Sequence, residues 1–365
     1  MLTNFHEMKT DNNATLVLSS QDAQKIVAHF GLNEIMDSLI ARLISTFRNF
    51  SPKQTDIPAR AGFHYEKPSA GLVEWMPLHS LGQEVMIKMV GYHPTNPNGH
   101  KLPTILSTVS CYDTQTGHLS GLMDGVLLTA FRTGAASAVA SRYLAHADSK
   151  VLGLIGCGAQ SITQLHAISR VFGLEKVLVY DKDERAVSSF AERCAVLDLN
   201  LAVEPTDMEK VVIGSDILVT ATSIDVGAGP LFDGLETKPH LHINAVGSDF
   251  PGKVEVPLSF LKNSFVCPDF LDQALIEGEC QQLDKKDIDA GIVEVVRDPA
   301  AFSFVKKQRS VFDSTGWALE DYVAMELFME HARELGLGQF IEIEHIPEDV
   351  KNPYDFMGQF SEQYY

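Results

Sequence analysis

Hydrophobic positions recur along this chain in two rhythms, and the change from one to the other falls before the midpoint. Residues 16–18 form a short apolar run. Ser19 then stands where it can cap a helix with Asp22 in its first turn, and Gly31 ends that helix as a residue free to turn left-handed does. Apolar residues at helical spacing predict a second amphipathic helix over residues 33–50. From residue 71 to 123 the rhythm shortens to every second residue. Residues 72–76, 85–92, 105–112 and 119–123 read as strands, with a turn at 113–117, and together predict an antiparallel sheet. An Ala- and Leu-rich helix over residues 125–144 links that sheet to the second part of the chain.

From residue 151 onward, apolar runs at 151–155, 177–180, 199–203, 217–221 and 241–246 alternate with helical stretches. This order specifies a parallel sheet with helices on both faces. A last helix, residues 318–335, has no partner inside that unit and is expected to return to the first one. The fold class is therefore α/β: a doubly wound parallel sheet over residues 149–316, beside a discontinuous α+β domain of residues 1–148 and 317–365. A chain of 365 residues suits two domains.

Composition narrows the function classes. With 45% hydrophobic and 21% charged residues and no low-complexity tract, the chain is an ordinary globular protein. A formal net charge of -19 repels phosphate backbones, so no nucleic-acid partner is expected. Residues 1–13 are polar and lack the apolar core of a secretion signal, and no apolar run approaches the ~18 residues that span a bilayer. A cytoplasmic protein without membrane contact is expected. Five cysteines are scattered, odd in number and free of CxxC spacing, which predicts mostly buried thiols rather than disulfides or a metal site.

The sharpest motif is VLGLIGCGAQS at residues 151–161, a buried strand that enters a Gly-rich turn and then a helix. Gly156 permits the tight turn, and Gly158 lets a pyrophosphate approach the backbone at the helix N-terminus. Ser161 stands where a third glycine is usual. The next strand ends in Asp181, 25 residues past Gly156, where a carboxylate accepts hydrogen bonds from ribose hydroxyls and repels a 2′-phosphate. The order strand, turn, helix, strand, acid describes a Rossmann unit for NAD. The competing role for Asp181 is to cap the turn that comes after it.

Four further features carry chemistry. Lys88 has apolar neighbours on its face of the strand, Met86 and Val90, so its ammonium is partly desolvated; a lysine snorkelling from an edge strand is the competing account. Arg132 is a guanidinium inside an apolar helical segment, where it serves either a ligand or a structural ion pair. Arg60 follows Pro58 in a loop. Three cations converging on one cavity would suit a carboxylate substrate and an anionic cofactor. The fourth feature is HINAVGSDFPGK at 242–253, a buried strand that opens into a loop at its carboxyl end, where doubly wound sheets bind ligands. There Asp249 can act as general acid/base, or simply form the turn before Pro251.

Stretches spread over nearly the whole chain carry a resemblance: GLVEWMP at 71–77, Lys88 with His93-Pro94, LLTAFR at 127–132, IGCGAQS at 155–161, NAVGSD at 244–249, PGK at 251–253, IEGE at 276–279 and FDSTGWALED at 312–321. In these the chain resembles the ornithine cyclodeaminase/mu-crystallin family, with Glu74 and the PGK stretch most like the ornithine cyclodeaminases. The resemblance implies that Arg60 and Lys88 hold a substrate carboxylate, that Asp249 is the acid/base, that Glu74 lies near the substrate and that Thr315 touches it. It further implies NAD contacts from Thr104, Arg132, Ala159, Gln160, Asp181, Thr222, Asn244, Ala245, Val246, Gly247, Lys253 and Ser314, and a homodimer paired through the first domain's sheet. The implied reaction is redox-neutral. Hydride leaves the α-carbon of L-ornithine, the imine is attacked by the δ-amine, ammonia departs, and hydride returns to give L-proline. A related amino-acid dehydrogenase, ketimine reductase or opine-type oxidoreductase of the same family would share Lys88, Arg132 and Asp249, and lysine would close a six-membered ring with the same machinery. A non-catalytic NADPH-holding protein of the mu-crystallin sort would conflict with Asp181 and Glu74. The chain departs from the family pattern near Pro97-Asn98, at Ser248 and in the loop after Thr222.

Overall fold

In the computed structural model, which describes residues 14–357, a helix pair, the first of them capped, follows the short opening strand of the first sheet. The expectation about residues 1–13 lies outside the described residues. Ser19 Oγ accepts the Asp22 amide at 3.3 Å while Asp22 Oδ2 accepts the Ser19 amide at 3.1 Å, a reciprocal cap on helix Ser20–Phe30. Helix Leu32–Asn49 buries Ile35, Leu39, Leu43 and Phe47, one residue per turn along a single face.

The strands of the first sheet are β1 (Thr15–Leu18), β2 (Thr55–Asp56), β3 (Ala61–Tyr65), β4 (Gly71–Ser80), β5 (Glu84–Tyr92), β6 (Ile105–Asp113) and β7 (Leu119–Asp124). In β4 the inner face is Leu72, Glu74, Met76 and Leu78, all buried, with half-exposed residues between them. Strand β5 pairs with β4 on one side and β6 on the other, with Lys88 opposite Met76 and Val109. Lys88 thus sits on an interior strand, and snorkelling from an edge is excluded.

Helix Val126–Leu144 leads to the second sheet: β8 (Val151–Ile155), β9 (Lys176–Tyr180), β10 (Ala202–Pro205), β11 (Ile217–Thr220), β12 (His242–Ala245), β13 (Phe265–Pro268) and β14 (Ser310–Asp313). All neighbours run parallel in the order β10-β9-β8-β11-β12-β14-β13. The order reverses between β8 and β11, so the crevice for a ligand opens beyond their carboxyl ends. Two differences from the sequence expectation stand out. Strand β10 is displaced from residues 199–203 to 202–205, and β13 and β14 are additional strands. Each of these two is a four-residue buried run, too short for periodicity to separate from a loop.

After β14 the chain crosses back through Ser314, Thr315 and Gly316 into helix Ala318–Leu335. That helix packs against Val126–Leu144, Leu32–Asn49, Ser20–Phe30 and β4. It is followed by β15 (Gln339–Ile341), antiparallel to β1 at the edge of the first sheet. Trp317, just before the helix, stacks with Phe47 at 6.0 Å and with Phe270 at 5.5 Å, joining elements from both parts of the chain. A Cβ on Gly134 would stand 2.6 Å from Thr163 O, so helix Val126–Leu144 and helix Ala159–Ser169 touch backbone to backbone. All five cysteines are buried and unpaired. Among the described residues no helix is long and apolar enough to cross a membrane.

Candidate active site

A cavity of about 820 Å³ lies between the inner face of the first sheet and the carboxyl edge of the second. Its size is that of a ligand or cofactor site. One end is built by the Gly-rich turn. Gly156 has φ +98°, and a Cβ there would stand 2.5 Å from Ala221 O; at Gly158 a Cβ would meet no atom within 4 Å, so that backbone is open to approach. Helix Ala159–Ser169 begins at Gly158 with no side-chain cap, which leaves its first amides free for an anion. Ser161 Oγ donates to Gly156 O and ties the turn to the helix. Gly156→Ala is therefore expected to abolish dinucleotide binding, since neither the dihedral nor the space admits a methyl; cofactor titration by fluorescence, with thermal melting as the control for folding, checks this.

Asp181 follows β9 directly and lies on the cavity wall. It does more than either account from the sequence. Its Oδ2 accepts the Cys157 amide at 2.7 Å and its Oδ1 the Asp183 amide at 2.9 Å, so the same carboxylate shapes the Gly-rich turn and caps the next one.

The other end of the cavity is charged. Lys88, 1% exposed, donates to Asp321 Oδ1 at 2.8 Å. Burial pushes its ammonium down to about 8; the Asp321 carboxylate opposes that shift, and the positive charges of Arg132 and Arg60 add to it. Arg132 gives Nε to Asp321 Oδ1 and Nη1 to Glu320 Oε2, both at 3.0 Å. Burial works to raise the Asp321 carboxyl, but Arg132 and Lys88 outweigh it and hold the group below its ordinary value. Glu320 is pushed up to about 8 by burial and by Asp269, against the pull of Arg132. Arg132 is thus both a buried ion-pair member and a wall of the cavity. A Cβ on Gly316, at φ +88°, would meet its Nη atoms at 2.8 Å.

Arg60, just before β3 of the first sheet, reaches across to the residues after β14. Its Nη2 donates to Thr315 O and, at 3.1 Å, to Gly316 O; it also pairs with Glu277 at 3.0 Å, and Nη1 lies 3.7 Å from Glu74 Oε2. Burial pushes the Glu277 carboxyl up to about 8, with Arg60 opposing and Glu74 and Asp249 adding to the rise. Thr315 and Gly316 are themselves fixed by Asp269, which accepts Thr315 Oγ1 at 2.9 Å and the Gly316 amide at 2.7 Å.

Asp249 is half-exposed in the loop after β12 and lines the cavity. Lys253 Nζ holds its Oδ1 at 2.8 Å and also donates to Thr222 O at 3.0 Å. Burial opposes the Lys253 charge, yet Asp249 and Tyr92 more than compensate and raise the ammonium above its usual value. Beneath this loop, Glu255 accepts the amide of Thr222 at 2.8 Å and that of Gly247 at 3.1 Å, tying the ends of β11 and β12 together.

Of the residues singled out in the sequence, the cavity wall gathers Arg60, Glu74, Lys88, Thr104, Arg132, Asp249, Ser314 and Thr315 at or near the charged end. It also holds Gly156, Gly158, Ala159, Gln160, Asp181, Thr222, Val246 and Gly247 along the second sheet. Asn244, Ala245 and Lys253 are not on it. Asn244 points under the sheet, where its Nδ2 donates to Ser141 Oγ at 2.9 Å; Ala245 is a strand residue whose carbonyl accepts the Ser314 amide at 2.9 Å; Lys253 acts on Asp249 and Thr222. The acids Glu320, Asp321 and Glu277 have no role assigned from the sequence. Two carboxylates on the buried face of helix Ala318–Leu335 were the available signal, because such a pair needs cations opposite it.

Known proteins are similar to this chain in sequence and fold. The chain is 40% identical over 341 residues to the L-lysine cyclodeaminase of Streptomyces rapamycinicus, covering 93% of this chain and 99% of that one. A solved structure concerned with recognition of L-lysine, L-ornithine and L-2,4-diaminobutyric acid by lysine cyclodeaminase matches with a TM-score of 0.91 and 46% identity, over 94% of this chain and 99% of that one. An archaeal alanine dehydrogenase dimer with bound NAD matches with a TM-score of 0.77 and 29% identity, over 90% and 99% of the two chains. The family model for ornithine cyclodeaminase/mu-crystallin proteins matches residues 21–336, and the chain belongs to that family.

Proposed function

We propose that this protein is an NAD-dependent cyclodeaminase of L-α,ω-diamino acids, converting L-lysine to L-pipecolate and, as a second substrate, L-ornithine to L-proline, with release of ammonia. The observation that carries this reading is a single cavity with a dinucleotide cradle at one end and, at the other, paired cations beside the carboxylates Glu74 and Asp249. The sequence pointed to ornithine. The 40% identity to an L-lysine cyclodeaminase favours the longer diamine.

The cradle fits NAD on its own geometry: open backbone at Gly158, uncapped amides at Ala159 and Gln160, and Asp181 where a ribose would lie. Bound NAD supplies a hydride acceptor at the substrate's α-carbon and, after ring closure, the donor that returns it. The chain's own residues do the rest. Lys88, with one proton committed to Asp321, turns its remaining donors to the substrate carboxylate, and Arg60 assists from the opposite side. Asp249, pinned through Oδ1 by Lys253, takes up and returns the proton of the α-amino group at Oδ2. Holding both ends of one diamine in the same cavity makes ring closure intramolecular. The buried carboxylate of Glu74 suits a second ammonium, which a monoamino acid lacks.

A net redox reaction is the competing account, favoured by the likeness to an alanine dehydrogenase. Incubation with catalytic NAD and either diamine separates the two. Many turnovers per NAD, with equal ammonia and cyclic imino acid and no accumulating NADH, are expected, with the higher kcat/KM for L-lysine. Stoichiometric NADH, or turnover only of alanine to pyruvate, would overturn the proposal. We further infer a homodimer paired through the outer face of the first sheet, where Phe63, Met89 and Leu106 are exposed. A cytoplasmic setting accords with five unpaired thiols.

A further inference from the structure

Glu74 has a second neighbour that the proposed chemistry does not yet use. His64, on β3, places Nε2 3.0 Å from Glu74 Oε1. Strand β3 lies directly on β4, with Gly62 opposite Glu74 and so close that a Cβ would stand 2.6 Å from its Cα. The His64 ring also packs at 4.9 Å against Phe250, the residue after Asp249, which fixes it from the other side of the crevice. The two partners differ in where they stand. Glu74 lines the cavity and its side chain is 5% exposed, whereas His64 is absent from the cavity wall and its side chain is 40% exposed. Cavity, carboxylate, imidazole and water therefore follow one another in a line. Asp249, already half-exposed, has one oxygen held by buried Lys253 and, among the described residues, makes no comparable contact with a histidine.

The geometry points to the Glu74–His64 pair as the proton exit for the substrate's ω-ammonium. This rests on the diamine-cyclising reading above and adds a catalytic residue, Glu74, and a relay residue, His64, to it. An ammonium has no lone pair and cannot close a ring. The ω-ammonium gives one proton to Glu74, which passes it from Oε1 to His64 Nε2, and the imidazolium releases a proton to water. The freed ω-nitrogen then forms its bond to the α-carbon of the imine while the original α C–N bond breaks. The ammonia that departs takes up a proton outside, so no net acid is made. Imidazole is suited to this because its charge changes near neutral pH.

The test is chemical rescue. His64→Ala is expected to lower kcat with L-lysine at least roughly tenfold, the lower end of what a positioned acid/base contributes being somewhat larger, with NAD binding and the melting temperature unchanged. Added imidazole should restore kcat in a concentration-dependent way. His64→Gln keeps a hydrogen bond to Glu74 but carries no proton, and its deficit should resist rescue; in His64→Ala/Glu74→Gln rescue should vanish. A purely structural role for His64 predicts the reverse, with Gln conservative and imidazole inert. If the wild type turns over neither diamine, the functional reading fails and the relay with it. If the wild type is active while His64→Ala is unimpaired, or impaired but not restored by imidazole, the relay alone is overturned.

Discussion

Asp249→Asn is expected to lower kcat for the diamine substrate by a factor of ~10²–10⁴, the range associated with a general acid/base, while the protein still binds NAD. The physical reason is the isolation of the change. The amide oxygen can still accept from Lys253 Nζ, which lies 2.8 Å from Asp249 Oδ1, and Lys253 keeps its bond to Thr222 O, so the loop after β12 holds its shape. What disappears is an atom able to take up a proton in the cavity. Steady-state kinetics beside a cofactor titration separate the two effects. A fully active variant would remove Asp249 from the mechanism, and loss of NAD binding would make it a structural residue of the cradle.

Arg132→Met is expected to destabilise the fold by ~3–5 kcal/mol, the cost of removing one partner from a buried ion pair. Glu320 and Asp321 are wholly buried, and without Arg132 only Asp321 keeps a cation in contact, Lys88. Methionine fills much of the volume, so the loss is electrostatic rather than a cavity. Adding Glu320→Gln should recover little, because the Glu320 carboxyl, already pushed up to about 8, loses its charge once Arg132 is gone, and the cost falls on Asp321. Denaturant midpoints for the single and double variants provide the measurement. A single variant within about 1 kcal/mol of the wild type would mean that water or relaxation already screens the pair.

The elements that were legible in the sequence are those with long periodic patterns. The helix over residues 318–335 and the strands of the antiparallel sheet emerge where alternation or helical spacing predicted them. The Gly-rich turn was readable because its chemistry is local: strand, glycines and helix are contiguous. Strands β13 and β14 were not, since four buried residues show no period, and it is β14 that delivers Ser314 to Gly316 to the cavity. The site divides in the same way. Lys88 and Arg132 stood out as cations in apolar surroundings, but their partner Asp321 lies 233 residues from one and 189 from the other, a pairing only the fold decides. His64 carried no signal at all, being one polar residue in a short exposed strand.

Asp181 also bears on how such an enzyme could acquire a new coenzyme preference. Exchanging an acid at this place for a small neutral residue is the obvious route to admitting a phosphorylated ribose, but here the carboxylate simultaneously anchors the Cys157 amide inside the glycine turn. On the proposed placement of NAD, a one-step swap would slacken the pyrophosphate seat as it widened the adenosine end. Any redesign, natural or deliberate, has to install a new anchor for that amide at the same time.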